Sequence, residues 1–406
     1  DVTCCINLYF WSMISNKQLY FSNLALTIDT PIAIEIERAE GMYLYGPNGE
    51  KYLDLLGGVS VSNLGHQNTE VKEATKAQID KHMHLMVYGK FIQGPQVKLA
   101  KKLTEILGAH FESVYLCNSG AEANDGAFKL AKRATGRANF VAFKNAYHGS
   151  TQGVLSAMGD EYFKQAYRPL LPGFKFAEFN NEETLGLIDE NTAGVIIEPI
   201  QGEAGYKTPQ NNFLSKLRAK CDETGALLIF DEIQTGFGRT GSLFAFQKYG
   251  AVPDIITMAK GLGGGMPIGA FASAKSVMDT FKNNPILGHI TTFGGHPVSS
   301  AAALASAEII SENLNSFQVL EKEKLFRKHL VHPKIKRVNG AGLMLAIELS
   351  NFDEVQSVIN YCKHNKLIAD WFLFNNYSLR ISPPLIITEE QIIWSTKIIL
   401  EALDQL

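Results

Sequence analysis

Six short apolar runs recur between residues 113 and 273 and set the tightest limit on the fold: SVYLCNS (113–119), NFVAF (139–143), GVIIEP (194–199), ALLIFDE (226–232), DIITMA (254–259) and IGAFAS (268–273). Amphipathic, helix-like stretches separate them. Runs that are nearly apolar throughout have no face to give to water, so they need cover on both sides. Strands alternating with helices therefore predict an α/β chain built on a mainly parallel sheet between helical layers.

The flanks carry a different pattern. Residues 32–56 alternate polar and apolar around Pro47-Asn48-Gly49, as in an antiparallel hairpin closed at Asn-Gly. Beyond residue 300 come an alanine-rich helical stretch (299–310), strand patterns at 336–349 and 378–381, and a terminal helix from Glu389. These predict a second, smaller α+β unit that shares its sheet with the N-terminal hairpin. At 406 residues the chain holds about two to three domains' worth of sequence. The expected division is an N-terminal segment at 1–60 packing with the small unit, a large unit at 61–300 and the small unit at 301–406. Residues 1–12 read as an extension ahead of the more ordinary stretch that Met13 opens.

Composition removes several function classes. Lys and Arg total 38 against 41 Asp and Glu, with no basic block to neutralise a phosphate lattice, so nucleic acid is not an expected partner. No apolar run reaches the roughly 18 residues needed to cross a bilayer, so no membrane is expected either. The five cysteines, Cys4, Cys5, Cys117, Cys221 and Cys362, contain no C-x-x-C pair. They give neither a disulfide framework nor a zinc site and fit a reducing, cytoplasmic setting. Residues 1–16 are apolar but lack the basic residues that a secretory signal places at its start.

In α/β sheets ligands bind outside the carboxyl ends of the strands. The polar residues ending the apolar runs here are Asn118-Ser119-Gly120, Tyr147-His148-Gly149, Glu198, Asp231-Glu232 and Lys260. In N-S-G-A-E-A-N (118–124) a capping residue and a glycine precede a helical stretch, which leaves N–H groups free to face an anion. An ordinary serine cap in a tight turn would use the same letters. Asp231 sets a carboxylate at the mouth of a buried strand, where it is costly without a cation. Lys260 sets an amine at the end of the next run, followed by GLGGG, whose glycines admit close approach to the backbone. Either residue alone would suit a structural ion pair; together they read as neighbouring strands feeding one site.

Two patterns lead elsewhere. Gly236-Phe-Gly238-Arg-Thr-Gly241 matches G-x-G-x-x-G, the dinucleotide fingerprint, but it starts past Asp231 rather than at the strand end. About 20 residues beyond it stands Gly261 instead of the acidic residue that would hold a ribose. His82 and His84 are two apart and do not share a helix face, so no metal is expected.

Seven motifs in one order, S-G-A-E-A-N (119–124), Y-H-G-S-T (147–151), E-P-I-Q-G-E-A-G (198–205), D-E-I-Q-T-G-F-G-R-T-G (231–241), A-K-G-L-G-G-G-M-P-I-G (259–269), T-T-F-G-G-H-P (291–297) and L-R-I-S-P-P-L (379–385), resemble the class III aminotransferases. The resemblance runs from about residue 30 to the C-terminus. It implies a pyridoxal phosphate (PLP) enzyme of fold type I, with a mainly parallel seven-stranded sheet in the large domain and a smaller α+β domain built from both chain ends. Lys260 matches the lysine that forms the Schiff base, and Asp231 the carboxylate that keeps the ring nitrogen protonated. Ser119, Gly120 and Ala121 match the phosphate cup, Tyr147 and Ile233 the two ring faces, His148 a neighbour of Tyr147, and Gln234 the residue near the phenolic oxygen. Glu198 matches a cofactor-proximal glutamate. Thr292 matches a threonine that reaches the phosphate of the neighbouring subunit, which implies a homodimer with sites at its interface. Arg380 matches the arginine that grips a substrate carboxylate, and Glu203 the glutamate that pairs with it when the donor brings only an ω-amine.

The implied reaction moves an amino group from an amine or ω-amino acid to a 2-oxo acid, with 2-oxoglutarate favoured by Arg380. Mutase, decarboxylase and epimerase relatives would share the same cofactor residues. Ornithine and acetylornithine enzymes usually carry arginine where Ser150 stands, which weakens both of those assignments without excluding them. Thr69 replaces a usual proline after L-G-H, and Asp125 stands where glutamate is commoner.

Overall fold

The computed structural model describes residues 15–406; the extension expected over 1–12, with Cys4 and Cys5, lies outside them. The centre of the molecule is a seven-stranded sheet. Its strands are β4 (Ser113–Cys117), β5 (Asn139–Phe143), β6 (Phe174–Ala177), β7 (Thr192–Ile197), β8 (Leu227–Asp231), β9 (Ile255–Met258) and β10 (Gly269–Ser273), in the order β4-β10-β9-β8-β7-β5-β6. All residues of β7, β9 and β10 are buried, as strands covered on both faces must be.

Strands β5 to β9 pair in parallel, whereas β10 runs antiparallel to both β4 and β9. The cause is the connection: residues 259–268 form a tight turn, too short for the crossover of about a dozen residues that parallel neighbours require. The sheet edge β6 is absent from the sequence expectation. It is four residues long and carries Lys175 mid-strand, so its pattern is too short and too polar to register.

The helix Gly120–Thr135 covers one face of the sheet with Ala123, Ala127, Leu130 and Ala131. Gly126 lets it approach closely, since a Cβ there would lie 2.3 Å from the Phe271 ring on β10. Alanines do the same for the helix Pro297–Glu312, which packs on Thr69–Lys81 and Gly94–Leu107.

The outer regions need two corrections. Residues 32–56 form three strands rather than one hairpin: β1 (Arg38–Glu40), β2 (Tyr43–Tyr45) and β3 (Lys51–Asp54). The expected turn at Asn48-Gly49 joins β2 to β3, with Gly49 at φ 83°, and a second turn at Gly41 joins β1 to β2. The C-terminal unit also has a sheet of its own, formed by β11 (Arg337–Ala341), β12 (Met344–Glu348), β14 (Asp370–Trp371) and β15 (Ser378–Ile381). Only β13 (Leu367–Ile368) joins the N-terminal strands, in parallel with β3.

The G-x-G-x-x-G pattern serves packing between these parts. No helix follows Gly236 directly, and Arg239 is fully buried, donating to the carbonyls of Leu343 and Pro383 and to Asn63 Oδ1. Among the described residues no helix is long and apolar enough to cross a membrane, and no three His, Cys, Asp or Glu side chains cluster as metal ligands would.

Candidate active site

A cavity of about 470 Å³ opens at the carboxyl ends of β4, β8 and β9. Ser119, Gly120, Ala121, Tyr147, His148, Glu198, Asp231, Ile233, Gln234 and Lys260 all line it. Asp231 is the last residue of β8. Lys260 follows β9, the adjacent strand, and opens the turn Lys260–Gly263. Lys260 sits at φ 47°, a left-handed conformation that costs a non-glycine residue about 1–3 kcal/mol and clusters at functional sites.

The helix Gly120–Thr135 begins at the cavity. Ser119 caps it, its hydroxyl accepting from the Glu122 N–H at 3.2 Å. The first N–H groups of a helix have no partner within it and carry the positive end of the dipole, so this end suits an anion. Gly120 lets Ile233 pack closely against this end, since a Cβ there would lie 2.6 Å from Ile233 Cδ1.

The Asp231 carboxylate is buried and fully engaged on one side. Its Oδ2 lies 2.8 Å from both Asn124 Nδ2 and His148 Nδ1, and its Oδ1 accepts from the Ile233 N–H at 3.1 Å. The Glu198 carboxyl accepts from the N–H groups of Tyr147 (3.2 Å) and Gly202 (2.9 Å). Burial, and then the charge of Asp231, raise its proton affinity well above the usual carboxylate range. Burial pushes the Lys260 amine down to about 8, against the upward pull of Glu203 and of the other carboxylates.

Arg380 and Glu203 form a second cluster beside the cavity. Arg380 Nη2 donates to Glu203 Oε2 at 2.6 Å, and both side chains are buried. Burial alone would raise the glutamate, but the guanidinium outweighs it and holds Glu203 below its ordinary value. Glu203 also accepts from the Leu373 N–H and from Gln234 Nε2, which ties this pair to the cavity wall. Phe372 lies under the guanidinium, 4.3 Å from ring centre to Cζ. Thr292 is exposed and outside the cavity of its own chain, while its neighbour Thr291 accepts from Asn118 Nδ2.

Four buried polar atoms here lack any partner among the described residues: His148 Nε2, Gln234 Oε1, Arg380 Nη1 and the Tyr206 hydroxyl. An unpaired buried group calls for a partner, and a bound ligand is one that can supply it. A capped helix end for a phosphate, a carboxylate for a ring nitrogen and a depressed amine for a carbonyl carbon together fit pyridoxal phosphate. Sequence reasoning passed over Asn124 and Thr257 as individual residues. Their signal was the polar letter inside an otherwise buried helix face and inside the run DIITMA.

The class III aminotransferase family model matches residues 27–403. The chain belongs to the class III aminotransferases. It is accordingly a PLP-dependent enzyme that moves an amino group between an amino donor and a 2-oxo acid. It is similar to the acetylornithine aminotransferase of Archaeoglobus fulgidus, with 40% identity over 90% of this chain and 95% of the relative. The acetylornithine aminotransferase of Methanocaldococcus jannaschii is 39% identical over 89% and 91%. Among solved structures, the ornithine aminotransferase from Toxoplasma gondii ME49 superposes with a TM-score of 0.90 at 27% identity, covering 98% of this chain and 97% of that one. The fold is thus fold type I.

Proposed function

We propose that this aminotransferase takes its amino group from an amine or ω-amino acid and passes it to 2-oxoglutarate, with the site residues in the following roles. When bound, PLP supplies the electron sink for breaking a Cα–H bond. Lys260 would hold the cofactor and would move a proton at the donor's Cα. An amine near 8 takes and gives a proton with little bias at neutral pH, which suits that work. Asp231 holds a proton at the ring nitrogen. Ser119, Gly120 and Ala121 bind the phosphate through hydroxyl and N–H groups. Tyr147 and Ile233 would line the two faces of the ring, His148 would orient Asp231, Gln234 would face the phenolic oxygen, and Glu198, its proton affinity raised by burial, would line the edge of the site.

On the substrate side Arg380 binds the carboxylate of the 2-oxo acid in a two-pronged clamp. Glu203 neutralises the arginine when the donor has no carboxylate in that position. The observation that carries the reading is the convergence of Asp231, Lys260 and the Ser119 helix end, from three separate elements, on one cavity.

The assembly we infer is a homodimer, with Thr292 reaching the partner's phosphate site. Its support is an exposed apolar surface around an open groove. Phe91 (59% exposed), Ile92 (96%) and Ile286 (76%) line that groove with Thr291, and the exposed Phe293 (55%) follows Thr292 in the chain. Patches of this kind on a soluble fold mark contact surfaces. The working division is 1–60, 61–300 and 301–406, with the helix Pro297–Glu312 bridging the last two units. A reducing, cytoplasmic setting accords with the free thiols of Cys117, Cys221 and Cys362.

A second donor reading, N-acetylornithine, is favoured by the curated relatives. Ser150 at the cavity wall stands against it, since the side chain brings no charge for a distal carboxylate. Assays with 4-aminobutyrate, ornithine, N-acetylornithine and simple amines, each against 2-oxoglutarate and pyruvate, separate these readings. Lys260→Ala should leave no cofactor that borohydride can fix to the chain; retention of such a link would overturn the role of Lys260.

A further inference from the structure

We propose that Thr257 and Asn124 form a positioning chain that leaves the Asp231 carboxylate a single open acceptor site, Thr257 acting through Asn124. The proposal deepens, and rests on, the reading of Asp231 as partner of the cofactor ring.

Three elements meet at Asn124. Its side chain lies on the helix Gly120–Thr135 and is completely buried. Asn124 Nδ2 donates to Asp231 Oδ2 on β8 and to the His148 carbonyl oxygen, both at 2.8 Å. Its Oδ1 accepts from the Thr257 hydroxyl on β9 at 2.7 Å. A carboxamide has a donor end and an acceptor end, and it can be turned over. Turned over here, Oδ1 would face a carboxylate oxygen and a carbonyl oxygen at hydrogen-bond distance, two acceptor-acceptor contacts in a dry interior. Thr257, completely buried in the sheet, supplies the donor that the correct orientation needs.

The result can be counted on Asp231. An ionised carboxylate offers about four lone-pair sites. On Oδ2, Asn124 Nδ2 and His148 Nδ1 take up two; on Oδ1, the Ile233 N–H takes one. One site remains, on Oδ1. The carboxylate can neither rotate nor share its charge elsewhere without breaking one of these bonds, so the remaining site is the one offered to the ring nitrogen. Thr257 is thus a positioning residue for the cofactor although it does not line the cavity itself.

The test is a double-mutant cycle read as the PLP dissociation constant of apoenzyme, followed by cofactor absorbance, with turnover and KM as second readouts. Thr257→Val keeps the shape and removes the hydroxyl; it should weaken PLP about tenfold and lower kcat while leaving the KM of the donor nearly unchanged. Thr257→Ser should restore both. Asn124→Ala should weaken PLP further, and adding Thr257→Val to it should change nothing more. Wild-type affinity and turnover in Thr257→Val, or losses that multiply in the double variant, would overturn the proposal. Melting temperatures report folding separately, and the folded Thr257→Val and Thr257→Ser pair alone still decides it. Asp231→Asn is measured alongside. If it leaves PLP affinity unchanged, the reading of Asp231 itself fails; if it weakens PLP while Thr257→Val does not, only the positioning chain fails.

Discussion

Asp231 and Glu203 are both buried carboxylates at the edge of one site, yet the chain treats them in opposite ways. Asp231 meets only neutral or histidine donors, from Asn124, His148 and the Ile233 N–H, and no arginine or lysine bonds it. Glu203 is closed on Arg380 at 2.6 Å. A buried carboxylate that no arginine or lysine pairs is expensive and persists only where hydrogen bonds hold it. Such a charge is a fixed fitting that waits for a cationic group of the ligand. A closed ion pair stores the same kind of charge in a form that another carboxylate can open by exchange. Under the roles proposed above, one half of the site stays and the other switches.

Replacing each carboxylate by its amide breaks the comparison most directly. Asp231→Asn keeps the shape and loses the charge at the fixed fitting, so transamination should slow about 1,000-fold, roughly 4 kcal/mol of barrier. Stopped-flow rates of donor deprotonation provide the check, and near-normal rates would remove Asp231 from the chemistry.

Arg380→Lys is next in size. A planar guanidinium meets a carboxylate with two parallel bonds that an ammonium cannot reproduce, so the half-reaction with 2-oxoglutarate should lose roughly ten- to a hundredfold in kcat/KM, about 1.4–2.8 kcal/mol. The half-reaction with a donor lacking a carboxylate should lose far less. Single-turnover measurement of the two halves is the test; equal losses would make Arg380 a structural residue.

The contrast also explains what could be read from letters alone. Asp231 and Lys260 were legible because each ends an apolar run, and runs covered on both faces announce their own ends. The switch was not legible in that way. Glu203 and Arg380 are 177 residues apart, on a loop and on β15, and only the family resemblance joined them. Asn124 and Thr257 were harder still, since a polar letter within a buried run has no reading until its partner is known. The fold shows the same limit. Strands β7 to β10 follow from their own residues, whereas the separate C-terminal sheet and the N-terminal one depend on pairings far apart in the chain, such as β13 with β3, and on the turn at Gly41.

Lys260 stands between the two halves and reports on both. With its amine at about 8, the neutral fraction available for covalent capture of PLP should rise about tenfold from pH 7 to pH 9 and then level off. An ordinary exposed lysine, near 10.4, would instead climb about a hundredfold over the same interval without levelling. Capture rates of apoenzyme, read by absorbance across that range, distinguish the two profiles.

Glu203→Gln should have the smallest effect on catalysis and the sign most specific to a switch. Removing this carboxylate takes away the competitor for Arg380, so the KM for 2-oxoglutarate should fall a few-fold, although the freed guanidinium lowers overall stability by about 3–5 kcal/mol, as broken buried pairs do. Glu203 is also the largest charge raising the Lys260 amine, so its loss should move the midpoint of PLP capture below 8. Donors without a carboxylate should become poorer substrates, because Arg380 then stays unpaired beside them. A KM that rises for 2-oxoglutarate and for such donors alike would mean that Glu203 merely props the arginine in place, and that the second half of the site is as fixed as the first.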